Sequence, residues 1–246
     1  RDGVDLHEYI RDLTYPKVAK ALQQKLKATK VIPFDHVFRR GESLPPLPGA
    51  ETATPLRHVH NDYSLDSGYV RARMHLTKHS TEAGLENALR QRFAIINVWT
   101  PLSKVQRDPL CMIDFRSTLP NDVQVSRMVF DTTEFPVRDT YRVYHNPGHS
   151  WVYFSDMKPG ESILLKTFDS CAEPGVAKMA LHAAGALPEQ ELRPERESLE
   201  IRCLVFYGEL EDDFGKGFVP PPGQAGRPGG EMYITKYEWL PRSNAE

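Results

Sequence analysis

Apolar residues recur at three- and four-residue intervals in two stretches of the chain. In the first, Leu6, Tyr9, Ile10 and Leu13 share one helical face, and Val18, Ala19, Leu22 and Leu26 form another beyond Pro16. Proline is well tolerated in the first turn of a helix, so residues 5–28 read as two helices or one broken helix. The second stretch runs from Thr81 to Arg90, with Leu85, Ala88 and Leu89 inward. Between them, residues 43–57 carry Pro45, Pro46, Pro48, Gly49 and Pro55 and read as a loop.

From Phe93 onward the pattern is that of strands. Phe93–Trp99, Leu110–Asp114, Val123–Phe130, Thr140–Tyr144, Trp151–Phe154, Ser162–Phe168 and Ser198–Tyr207 are short, rich in β-branched or aromatic residues, and separated by Pro, Gly, Asp and Ser. Pro220 to Gly230 reads as a loop, and Tyr233–Leu240 as one more strand. A mainly β fold with flanking helices follows, either a barrel or a jelly-roll sandwich. There is no βαβ alternation and no G-x-G-x-x-G, which argues against a dinucleotide fold. The expected organisation is a single domain over 1–246. Residues 1–56 form a helical and loop extension, 57–207 the β core and 208–246 a C-terminal extension.

Composition narrows the partners. A chain of 246 residues can bury a continuous core without disulfide or zinc staples. Lys plus Arg number 31 against 33 Asp plus Glu, so neither nucleic acid nor an anionic membrane is expected as an obligatory partner. The best apolar run, Phe93–Trp99, is far short of the roughly 18–20 residues of a membrane span. The three cysteines, Cys111, Cys171 and Cys203, are odd in number and form no C-x-x-C pair. With no apolar leader after Arg1, they point to a reducing, cytoplasmic setting. A small molecule is the expected partner; composition leaves the oligomeric state open.

Three strings carry candidate chemistry. In His58-Val-His60-Asn-Asp62, an extended backbone points His60 and Asp62 to one face, where an imidazole and a carboxylate can meet one ion. A distant histidine would complete a two-His, one-carboxylate face with open positions, the arrangement of non-haem Fe(II) oxygenases. H-x-D alone also occurs by chance in polar turns. Two histidines compete for the third place. His182 lies fourteen residues before Arg196, the gap expected for a strand, a turn and half a strand. His149 sits in the turn His145-Asn-Pro-Gly-His149, where a hydrogen-bonded structural role is the simpler reading. Arg196 and Ser198 share strand parity, and a guanidinium fork with a hydroxyl suits a carboxylate such as the far end of 2-oxoglutarate. A surface row of ion pairs with Glu197 and Glu200 is the alternative. Arg202 has the same parity but lies about 20 Å further along a strand, which assigns it to stability. Two rival functions use the same residues: a zinc hydrolase with a metal-bound water, and a non-catalytic barrel that binds a metabolite.

The ordered set of strings resembles the family of gibberellin-desaturase-like and cephamycin-methoxylase-related oxygenases of fungal and bacterial secondary metabolism. It comprises His58-Val-His60-Asn-Asp62, Arg92-Phe-Ala-Ile-Ile-Asn97-Val-Trp99, Pro109-Leu-Cys-Met-Ile-Asp114, Tyr144-His-Asn-Pro-Gly-His149-Ser-Trp151-Val-Tyr153-Phe154, Leu164-Leu-Lys166-Thr-Phe-Asp169-Ser170, His182 and Arg196-Glu-Ser198-Leu-Glu-Ile-Arg202. The resemblance implies a double-stranded β-helix (jelly-roll, cupin-like) core and dependence on Fe(II), 2-oxoglutarate and O2. It implies hydroxylation, desaturation or oxidative cyclisation of a small natural product or amino acid, with release of succinate and CO2. Carried over, His60, Asp62 and His182 are the metal ligands, and Arg196 and Ser198 hold 2-oxoglutarate. Asn97 either donates to the cosubstrate or satisfies a buried backbone group. Lys166 either faces the cavity or pairs with Asp169. Trp151, Tyr153 and His149 are expected to line the substrate side, beside Trp99 and Tyr144; for these aromatics a place in the barrel core is the alternative. The family often has Gln and Arg where this chain has Ala94 and Thr100, which would alter the anionic group that the pocket holds. The proline usual before the metal histidine is also missing from Met179-Ala-Leu-His182.

Overall fold

The computed structural model describes residues 5–45, 47, 50, 52–129 and 137–219. Side-chain caps start α-helices 1, 3 and 4 in chain order. Asp5 accepts from the amides of His7 and Glu8 at the head of α1 (Leu6–Tyr9). A π turn over Ile10–Thr14 leads into α2 (Tyr15–Leu26), with Pro16 in its first turn. Ser64 and Ser67 form a reciprocal capping box on α3 (Leu65–Leu76), and Thr81 caps α4 (Glu82–Arg90).

Two sheets carry the rest. The larger pairs β2 (Thr52–Ala53), β1 (Lys30–Arg40), β11 (Glu197–Phe206), β4 (Phe93–Pro101) and β9 (Ile163–Asp169), in that order. The smaller pairs β6 (Val123–Val129), β7 (Val137–Val143), β3 (His60–Asn61), β10 (His182–Ala184), β5 (Leu110–Ile113) and β8 (Trp151–Tyr153). This is the jelly-roll, with α1 and α2 outside the larger sheet. Leu199, Ile201, Cys203 and Val205 turn outward to Tyr15 and Leu22 of the helical layer. On the other side of β11, Leu204 and Phe206 join Phe93, Ile95, Phe168 and the inner faces of α3 and α4.

Several expectations change. The seven predicted strands from Phe93 to Tyr207 are present, with ends shifted by up to three residues. The stretch 1–56 is not only helix and loop. Lys30–Arg40 is a long strand, paired with β11 from Lys30↔Phe206 to Arg40↔Glu197, so the sheet begins well before residue 57. An irregularity between Pro33 and Asp35 explains why alternation was hard to see there. Helix α3 likewise has no counterpart in the apolar periodicity. Its buried residues are Gly68, Ala72, His75 and Leu76, too small or polar to make an apolar stripe. Gly68 is required by packing, since a Cβ there would lie 2.2 Å from the Phe168 ring. Phe130, the loop 220–230 and the strand 233–240 lie outside the described residues. Cys111, Cys171 and Cys203 are free and buried. No described helix is long and apolar enough to cross a membrane.

Candidate active site

Strands β3 and β10 bring the two histidines together. His60 and His182 are directly paired across them, which puts both imidazoles on the same face, with ring centroids 4.5 Å apart. Asp62 follows β3 by one residue, and its Oδ1 lies 3.7 Å from His60 Nε2. One donor atom from each of His60, Asp62 and His182 falls within 4.8 Å of the others. Among the described residues this is the one such group of histidine, cysteine and carboxylate donors.

Backbone bonds aim the rings. His60 Nδ1 meets the carbonyl of His58 at 2.9 Å, and His182 Nδ1 meets that of Ala180 at 2.8 Å. A carbonyl only accepts, so each Nδ1 carries the proton and each Nε2 keeps its lone pair for an ion. Burial, reinforced by His182, pushes the His60 pKa down to about 4. Burial also lowers His182, against the pull of Asp62. Both rings are therefore neutral at pH 7. Burial alone would raise the Asp62 carboxyl. The charges of Arg202, His182 and His60, with a bond from Asn97, outweigh it and hold the group well below the usual carboxylate range. Two neutral imidazoles and an ionised carboxylate form a divalent-metal donor set.

The far oxygen of Asp62 is already engaged. Asn97 Nδ2 donates to Asp62 Oδ2 at 2.8 Å, and Arg202 Nε stands 3.6 Å from it. Asn97 is in turn held by Thr167 Oγ1 at 3.3 Å. Asn97 is thus a partner of Asp62, a role that was not among the two its sequence position offered. Arg202 joins the stabilising ion pairs expected of it to a place beside Asp62. It is clamped by Asp35 at 2.7 Å and Glu200 at 3.0 Å while it faces Asp62. The strand rise separates it from Arg196 but does not remove it from the site, because Asp62 faces it. Asn97→Ala is expected to weaken metal binding about 10–100-fold, the usual cost of losing a partner behind a ligand. Competition with a metal chelator checks this, and unchanged affinity refutes it.

One cavity is lined by His60, Asp62, His182, Trp99, Glu200 and Arg196, among others. Arg196 is 2% exposed; its Nη1 donates to the carbonyl of Asp108 at 2.6 Å and its guanidinium lies over Trp99, 5.5 Å from the ring centre. Its Nε is buried with no hydrogen-bond partner, so a guanidinium edge is left for an acceptor from outside. Burial, with Arg39 nearby, lowers its pKa to about 10, so it remains a cation. Ser198 is buried on the same strand face, opposite Pro101 of β4.

The expected substrate residues lie elsewhere. Lys166 pairs with Ile96 on the outer side of the larger sheet, and its ammonium binds Asp169 at 2.9 Å. That settles its two alternatives in favour of Asp169. In β8, Val152 is opposite Met112, and so shares the His182 face; Trp151 and Tyr153 point to the other side. They remain 45% exposed. Trp151 lines a separate outer groove with Val59, Ile113, Tyr144 and His149. His149 itself binds Asp122 through Nε2 at 3.0 Å and braces the 145–150 turn. His149→Ala is expected to keep stoichiometric iron in metal analysis; loss of the iron would make it a ligand. Ala94 and Thr100 also face outward, Ala94 in the helix-side core and Thr100 bonded to Ser162, so these departures leave the cavity unchanged.

Residues 3–206 match the family model described as an oxidoreductase/YMDC permease-like domain. The chain is 30% identical over 220 residues to the hydroxylase/desaturase efuI of Hormonema carpetanum, covering 82% of this chain and 72% of that protein. It is 33% identical over 205 residues to the alpha-ketoglutarate-dependent dioxygenase tstK of Talaromyces stipitatus, covering 81% and 71%. Among solved structures, a variant of the iron and alpha-ketoglutarate-dependent endoperoxidase NvfI superposes with a TM-score of 0.67, at 27% identity over 85% of this chain and 75% of that one. The chain belongs to the fungal hydroxylase/desaturase family of Fe(II)- and 2-oxoglutarate-dependent dioxygenases. Membership brings Fe(II), 2-oxoglutarate and O2. The residues present fit that set: three donors with free lone pairs converge on one point, and a buried guanidinium with an unmatched N–H shares their cavity.

Proposed function

We propose that this chain hydroxylates, desaturates or oxidatively cyclises a small natural product. In this reading His60, Asp62 and His182 hold the iron, and Arg196 and Ser198 hold the far carboxylate of 2-oxoglutarate. The observation that carries the reading is one cavity shared by three convergent metal donors and the Arg196 guanidinium. A zinc hydrolase has no use for that cation.

When bound, Fe(II) with 2-oxoglutarate and O2 supplies the oxidising power, as cosubstrate decarboxylation to succinate and CO2 drives removal of a substrate hydrogen. The chain supplies position and a dry site. The carbonyls of His58 and Ala180 keep both imidazoles aimed forward. Asn97 and Arg202 occupy Asp62 Oδ2 and turn Oδ1 toward His60. Trp99 backs Arg196, so the guanidinium meets a carboxylate away from water, where a charge-assisted bond is strong. The natural-product class draws on relatives named for a gibberellin cluster and for aspirochlorine biosynthesis. Three free cysteines favour a reducing, cytoplasmic setting for the reaction.

The test is cosubstrate turnover. With Fe(II), the protein should consume O2 and convert 2-oxoglutarate to succinate and CO2 in equal amounts, and with Zn(II) it should not. Ester or amide hydrolysis by the zinc form, without succinate from the iron form, would overturn the reading.

A further inference from the structure

Among the described residues, Arg39 is a cation without a contact ion pair, although Glu200 and Asp62 favour its charged form. It stands on β1 directly opposite Ser198 of β11, and it lines the cavity with His60, Asp62, His182, Glu200 and Arg196. The irregularity at Pro33/Asp35 resets the alternation of β1, so that Asp35 pairs with Arg202, Val37 with Glu200 and Arg39 with Ser198. These positions then share the inner face of the sheet. Arg39 Nη1 donates to the carbonyl of Thr54 at 2.8 Å. Among the described residues Arg39 enters no ion pair. Its neighbours are already committed: Glu200 to Arg202 at 3.0 Å, and Glu197 to Arg40 at 2.8 Å.

Two guanidinium groups therefore share one small cavity. Burial lowers the pKa of Arg39, and its charge is felt at His60, at His182 and at Arg196. Glu200 acts on both cations and offsets part of that charge, and an anion entering the cavity would add to it. Arg196 meets one end of a dicarboxylate in the proposed function, and Arg39 is the other guanidinium on the wall that carries His60, Asp62 and His182.

We propose that Arg39 receives the carboxylate of 2-oxoglutarate adjacent to its keto group, so that the cavity clamps the dicarboxylate between two guanidinium forks. This inference rests on the oxygenase reading above. It makes Arg39 a cosubstrate-binding residue and explains why an arginine, with its several donors, can serve both Thr54 and a ligand.

The test uses protein loaded with redox-inert Mn(II), and calorimetric titration with three oxo acids. These are 2-oxoglutarate, 2-oxopentanoate (which lacks the far carboxylate) and 4-oxopentanoate (which lacks the carboxylate beside the keto group). Arg39→Gln should weaken 2-oxoglutarate and 2-oxopentanoate at least about tenfold, as expected for one lost charge-assisted bond, and leave 4-oxopentanoate within about twofold. Arg196→Gln should spare 2-oxopentanoate and weaken the other two. Arg39→Lys, which keeps the charge, should recover part of the 2-oxopentanoate affinity. Mn(II) stoichiometry reports on folding, because Arg39 also ties down Thr54. Equal weakening of all three acids by Arg39→Gln at full Mn(II) content, or no weakening, would overturn the proposal. Wild-type protein that takes up Mn(II) but binds none of the three would overturn the oxygenase reading itself, and this inference with it.

Discussion

His182→Ala should strip the protein of stoichiometric iron and abolish 2-oxoglutarate turnover while the chain stays folded. The loss of metal affinity should exceed about 100-fold, the upper end for losing a partner that only supports a ligand. The expectation follows from the donor set: without the His182 ring, His60 and Asp62 keep two of three ligand atoms and nothing described replaces the third. Strand β10 pairs with β3 and β5 through its backbone, so the substitution leaves the ladder in place. Metal analysis after dialysis, with circular dichroism as the folding control, checks both halves. Full iron content in the variant would remove His182 from the ligand set.

Arg196→Ala should raise the 2-oxoglutarate requirement by more than about 100-fold, with iron content unchanged. Removing one member of a buried charge pair costs about 3–5 kcal/mol, and about 1.4 kcal/mol is tenfold in affinity. The cation is almost fully covered, packed on Trp99 and short of one hydrogen-bond partner, so solvent cannot take its place. Titration of 2-oxoglutarate with succinate as the readout measures the shift. An unchanged requirement would move the anchor to another residue, and Arg39 is the other cation on the cavity wall.

The parts of the site readable in the sequence are those that depend on local geometry. An extended backbone puts i and i+2 on one side, so His60 with Asp62 and Arg196 with Ser198 could be read as pairs before any fold was known. The same rule gave Arg202 its face and a stabilising role, but not its approach to Asp62. Distance along one strand says nothing of what the facing sheet brings to that position, and Asp62 arrives there from the smaller sheet. Asn97 holds Asp62, a role not among its two candidates, because that partner comes from a segment thirty-five residues away.

Fold class, most strands and the helical layer were determined by periodicity, since spacing alone says which residues can share a face. What only the tertiary structure decided is which face looks inward and what stands opposite. Lys166, Trp151 and Tyr153 have the chemistry of a substrate pocket, but register turns all three away from the His182 face. Arg39 has no motif around it, and the irregularity at Pro33/Asp35 hides the alternation that would place it. Its position comes from pairing with Ser198, 159 residues later in the chain. A strand carries its alternation in its own residues, whereas register and sheet order arise from pairing between distant segments. The donors for a metal and the cations for an anion therefore meet only when both sheets have closed.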